Sequence, residues 1–172
     1  METISFDKLL LKTAFCCMAS DGNIDKKEVE LIKKMCEQSP LFKDFDFSKE
    51  INILLAKINE RGTEFIQYYF DLLNNSNLSE KEELIIIDFA INTINADEVV
   101  EYSEVKFFKA IRKCLNITDD SILDVYPDLE IYLEEDIDTE SKLDKLVNNY
   151  LSSVELPQFE QINLENLRDS VE

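Results

Sequence analysis

Ala14-Phe15-Cys16-Cys17-Met18-Ala19-Ser20-Asp21-Gly22-Asn23-Ile24-Asp25-Lys26-Lys27-Glu28-Val29 reads as the end of one helix, a polar bend and the start of another. Phe6, Leu10, Ala14 and Cys17 recur at helical spacing, which predicts a first helix over Phe6 to Ala19. Asp25 followed by Glu28 is a D-x-x-E capping box, in which each side chain satisfies a backbone N–H of the other's residue. Val29, Ile32, Met35 and Cys36 then give the second helix its apolar face, and Ser39-Pro40 ends it.

The same arrangement returns at an offset of 76, from Asp21 to Asp97, without gaps. Ile24 aligns with Val100, Asp25 with Glu101, Glu28 with Glu104 and Val29 with Val105. An acid–apolar–acid–acid pattern repeated within otherwise different sequence points to two copies of one helical hairpin. A pseudo-twofold relation between them is the expected architecture.

Between and after the copies, the pattern stays helical. One run begins at Ser48 and is broken at Gly62; another begins at Thr63 and carries Phe65, Ile66, Tyr69 and Phe70. Ser79 and Glu82 form a second capping box ahead of a long helix through Leu84, Ile87, Ala90 and Ile94. A short helix over Ile122 to Val125 ends at Pro127. Two Gly and three Pro in 172 residues are too few for a sheet protein rich in tight turns. The expectation is an all-α, single globular domain of about seven or eight helices over residues 1–127.

Residues 128–172 change character, with thirteen Asp or Glu against three Lys or Arg. They read as an acidic helical extension and tail. A helix from about Glu140 to Leu151 has Leu143, Leu146, Val147 and Tyr150 on one face. Beyond it the chain is expected either to be mobile or to dock as an extended segment.

Composition narrows the function. The net charge of −19 opposes a phosphate backbone and an anionic membrane, and favours cations or a basic protein surface. No nucleic-acid partner and no membrane insertion are expected, and the first twelve residues lack the pattern of a signal peptide. Cys16, Cys17, Cys36 and Cys114 lie in apolar helical patterns without C-x-x-C spacing, as buried thiols of a reducing, cytoplasmic protein would. The absence of His removes the usual base near neutral pH, the usual partner of a catalytic thiol and the Glu-x-x-His ligand of helical di-iron sites. No Gly-rich phosphate loop occurs. The chain is not expected to be an enzyme.

Asp21, Asp25, Glu28, Asp97, Glu101 and Glu104 are the candidate metal ligands. Hard divalent cations such as Ca²⁺, Mg²⁺ or Mn²⁺ take carboxylate, carbonyl and water oxygens. One bend offers three carboxylates; two facing bends would offer six. The acids span too short a stretch for an EF-hand loop, so coordination would be weak and rich in water. Capping is the competing account, because acids in a first helical turn satisfy amides and the helix dipole without any cation. Glu101 is a poor N-cap residue by type and fits capping less well. Lys12 and Asp88, equivalent across the repeat, read as two independent surface charges, or as a partly buried ion pair if the two helices meet.

The strings Met18-Ala19-Ser20-Asp21-Gly22-Asn23-Ile24-Asp25-Lys26-Lys27-Glu28 and Leu78-Ser79-Glu80-Lys81-Glu82, with Ala96-Asp97-Glu98-Val99-Val100-Glu101-Tyr102-Ser103-Glu104, resemble the two signature segments of TerB-like domains of tellurite resistance. Leu115-Asn116-Ile117-Thr118 is similar to the segment that follows the second signature. The resemblance covers roughly Phe6 to Val125. It implies an all-helical domain with both acidic turns on a shared surface, metal binding through those acids, a link to tellurite resistance and wider stress response, and a domain type that also occurs as a module attached to other proteins. Glu98 departs from the pattern, standing where Gly is usual.

Overall fold

The computed structural model describes residues 4–96, 98–134 and 143–162. Among these, the chain forms nine α-helices and two 3-10 turns, with no strand. In order, they are α1 (Phe6–Ala19), α2 (Lys26–Gln38), a turn at Pro40–Phe42, α3 (Phe47–Arg61), α4 (Thr63–Asn74), α5 (Glu80–Ile94), α6 (Tyr102–Cys114), α7 (Asp119–Val125), a turn at Pro127–Leu129, α8 (Glu130–Leu133) and α9 (Leu143–Ser153). The all-α expectation holds. Pro40 and Pro127 do more than stop helices: each opens a 3-10 turn, where a fixed φ and a missing N–H cost nothing.

Every residue of α1 from Leu9 to Ala19 is buried. A helix that is apolar all round belongs inside, and α1 is the axis about which the others pack. Its most extensive neighbour is α5, followed by α4, α2, α3 and α6. The packing follows the repeat. α1 lies against its equivalent α5, while α2 crosses to α5 and α6 crosses to α1. That exchange pattern is the one a twofold relation produces. α3 and α4, which join the two hairpins, close one side through Phe65, Ile66, Tyr69 and Phe70.

Polar atoms inside this core are paired. Thr13 donates to the Leu9 carbonyl at 3.1 Å and accepts from the Tyr69 hydroxyl at 2.9 Å. The Lys12 ammonium lies 5.0 Å from the Tyr68 ring centre and 5.8 Å from that of Phe65, where ring faces attract a cation. Asp88 instead accepts from the Tyr126 hydroxyl at 2.8 Å and from Asn92 at 3.0 Å. Among the described residues no ion pair joins Lys12 to Asp88. The equivalence of the two positions in sequence does not carry over into contact, because Lys12 is drawn to the α4 rings and Asp88 to the α7 end.

α9 packs along α6, burying Val147 and Tyr150, and Leu129 is buried with them. Phe107 is the hub of this side. Its ring lies 4.9 Å from Phe70, 6.0 Å from Tyr69 and 5.3 Å from Tyr150, tying α4, α6 and α9 together. No helix among the described residues is long and apolar enough to cross a membrane.

All four cysteines are free and buried. Burial raises the Cys36 and Cys114 thiols from 9.0 to about 12, and raises Cys16 further. Raised acids favour folding below their unfolded value and lose that contribution as pH climbs toward the folded one. Stability should therefore fall as pH rises from 9 toward 12, more steeply than in a variant with Cys36→Ala and Cys114→Ala, as read from urea midpoints across that range. Phe107→Ala should cost about 3–5 kcal/mol in the same assay at pH 7, because three rings lose their common neighbour.

Candidate functional site

The two acidic bends are built alike. In the first, the Asn23 N–H donates to Asp21 Oδ1 at 2.8 Å and the Lys27 N–H to Asp25 Oδ1 at 2.7 Å. The Asp25 N–H donates to Glu28 Oε2 at 2.9 Å, completing the capping box. In the second, the Glu101 N–H donates to Glu104 Oε2 at 2.7 Å, and the Glu104 N–H reaches the Glu101 carbonyl at 3.1 Å. Glu28 and Glu104 are thus the same part used twice, folded back over the helix start and only 3% and 2% exposed. Glu101 occupies the N-cap position despite its residue type, with the extended backbone that position requires. Asp97 lies outside the described residues.

Side chains of α1 and α9 relate the two bends. Cys17, in the last turn of α1, has its thiol raised by burial first, then by Cys16, and then by both Glu104 and Glu28. Both capping glutamates therefore stand close enough to one sulfur to act on it. Tyr150 adds a second link. Its ring packs on Phe107 of α6, and its hydroxyl donates to the Ser20 carbonyl at 2.7 Å, at the root of the first bend. Burial raises the Tyr150 phenol, and the nearby Cys16 and Asp21 add to that shift. Tyr132 plays a related part at the second bend. Its hydroxyl donates to Asn95 at 3.4 Å, and its phenol is raised by burial and then by Glu104.

The bends share a left-handed residue and differ in its type and in cover. Gly22 has φ +83°, and its counterpart Glu98 keeps the left-handed form at φ +65°, a conformation uncommon outside Gly. A Cβ on Gly22 would meet Pro157 Cδ at 3.4 Å and the Glu155 carbonyl at 3.5 Å, so chain lies directly over it. Residues 98–102 are exposed throughout, with Val99 at 58%, Val100 at 38% and Tyr102 at 64%.

As for metal, a carboxylate that caps through one oxygen keeps acceptor capacity on the other, so the donor chemistry suits a hard cation. Among the described residues, however, no three Asp, Glu or Cys side chains are already gathered as a ligand set. The hydrogen bonds account for Asp25, Glu28 and Glu104 as caps.

Sequence reasoning missed Glu83. It is buried on α5 and accepts from the Asn116 N–H at 3.0 Å and the Ile117 N–H at 2.6 Å, with Asn116 Nδ2 at 3.3 Å. One carboxylate so anchors the loop that leaves α6. Nothing marked it in the sequence, where it is one of three glutamates in a first helical turn.

Comparison with protein-family models, curated proteins and solved structures finds no match to this chain.

Glu28→Ala and Glu104→Ala should each cost about 1–2 kcal/mol, since a helix-start N–H loses its acceptor, whereas the Gln variants keep an oxygen there and should cost less. Urea unfolding of the four variants checks the order.

Proposed function

We propose that this chain is a TerB-like module of the cytoplasm, associated with stress response, that binds a divalent cation weakly through its two acidic bends and presents that end to a protein partner. The observation that supports the reading is the matched capping geometry of Glu28 and Glu104, both of which bear on the Cys17 thiol. Asp21, Asp25, Glu28, Glu101 and Glu104, with Asp97, would supply the oxygens. A cation there would offset the repulsion among like charges held near one another. Because Asp21, Asp25, Glu28 and Glu104 each accept from a backbone amide through one oxygen, waters would complete the shell, and affinity would fall in the range of about 10⁻⁴–10⁻³ M. Nothing in this reading calls for catalysis.

A second reading, a metal-independent interaction module, is favoured by one feature. Val99, Val100 and Tyr102 stand exposed beside the exposed Glu98 and Glu101, a small apolar stretch flanked by acids. Such a surface suits a partner with a basic rim and an apolar centre, and attraction between them would be salt-sensitive.

Titration calorimetry of chelator-treated protein with Ca²⁺, Mg²⁺ and Mn²⁺ decides between them. Saturable heat should appear for at least one cation and vanish when Asp21, Glu28, Asp97 and Glu104 are neutralised together. Equal binding by that variant would end the metal assignment. Partner capture that ignores chelator but is lost at high salt would support the second reading.

A further inference from the structure

After α9 the chain runs on without regular structure over residues 154–162, yet it is not loose. Val154, Leu156, Phe159 and Ile162 pack against the core, while the residues between them face water. The segment is gripped at one point on α3. The Phe159 N–H donates to Asn59 Oδ1 at 2.9 Å, and Asn59 Nδ2 donates back to the Phe159 carbonyl at 3.1 Å. A carboxamide offers one acceptor and two donors, so it can pair with both backbone groups of an extended residue as a neighbouring strand would. Gln158 adds a third bond, from its Nε2 to the Asn59 carbonyl at 3.1 Å. A cleft of about 260 Å³ remains beside Phe159 and Ile162, walled by Asn52, Leu55 and Ala56 of α3.

The grip has a consequence two helices away. From Phe159 the segment leads back through Pro157 and Glu155, which lie on Gly22. The first bend is half-buried under this cover, and the second is open. Charge works against the closure, since Glu155 is carried to a bend that already holds Asp21 and Asp25. Apolar contact and the Asn59 pairing hold the cover in place.

We propose that Asn59 and the adjoining face of α3 form a binding site for an extended peptide, filled in cis by residues 154–162, and that its occupancy straps the first acidic bend shut while leaving the second exposed. The ligand class is a strand-like segment with an aromatic residue at the clamp and apolar residues three positions to either side. Tethering gives the chain's own segment an effective concentration of the order of millimolar, so a competitor must match that level.

Hydrogen exchange of the full-length protein, in chelator and without added metal, tests the strap independently of any cation. Asn59→Ala should speed exchange at least tenfold over residues 155–162 and also at Ser20 to Asn23, with the core amides of α1 and α5 unchanged. Phe159→Ala should do the same without touching α3, and Gly22→Glu, which copies Glu98 into the first bend, should speed exchange at Glu155 and Leu156 while the Phe159 amide stays protected in the clamp. A synthetic Val154–Ile162 peptide at millimolar concentration should slow Ser20 to Asn23 again in the Phe159→Ala protein. The proposal is overturned if Phe159→Ala frees the segment but leaves Ser20 to Asn23 as slow as before, or if the peptide restores nothing.

Discussion

The structure depends on a single helix with no outside. Eleven consecutive residues of α1 are removed from water, so every side of it must be covered by something else, and α2, α3, α4, α5 and α6 supply the cover. The constraint reaches into chemistry. A Lys and a Thr in that helix have to be satisfied within the protein, and the rings and hydroxyl of α4 do so. Two adjacent thiols near the helix end are carried into the core with them, beneath the acidic bends, where burial holds them protonated.

Around that axis the duplicated hairpins are close copies in backbone and distant ones in surroundings. Both bends use a glutamate at the third helical residue to hold the N-cap amide, and both place a left-handed residue at the same point. What separates them is what lies on top. Gly22 takes its left-handed φ without strain, and a Cβ there would come into contact with Pro157 and Glu155; Glu98 holds the same form with its side chain exposed. The second copy thus keeps the bend's geometry without Gly and without the cover.

Much of this was legible in the residues because it is local. Phe6 to Ala19 is the observed extent of α1, and the boxes at Asp25–Glu28 and Ser79–Glu82 sit where the pattern put them, since capping and helical period act within a few positions. Small errors have local causes too: α3 begins at Phe47, one residue early, because Asp46 supplies its cap through the Lys49 N–H. The expected helix near 140 lies partly outside the described residues, and α9 is seen from Leu143. Long-range pairings were not legible. Glu83 with Asn116 and Ile117, and Asn59 with Phe159, join ordinary surface-type residues across many positions of chain, and no spacing announces them. Lys12 and Asp88 show the converse limit: equivalence in a repeat allows a contact without requiring one, and the two side chains turn to different partners.

The placement of Asn59 gives the molecule a direction. A pair of near-identical hairpins about a twofold would present two interchangeable faces, and a visitor could dock either way round. α3 occurs once, between the copies, so whatever is fastened to it must choose a side. One carboxamide, outside both copies, is enough to turn a symmetric scaffold into one with a front and a back.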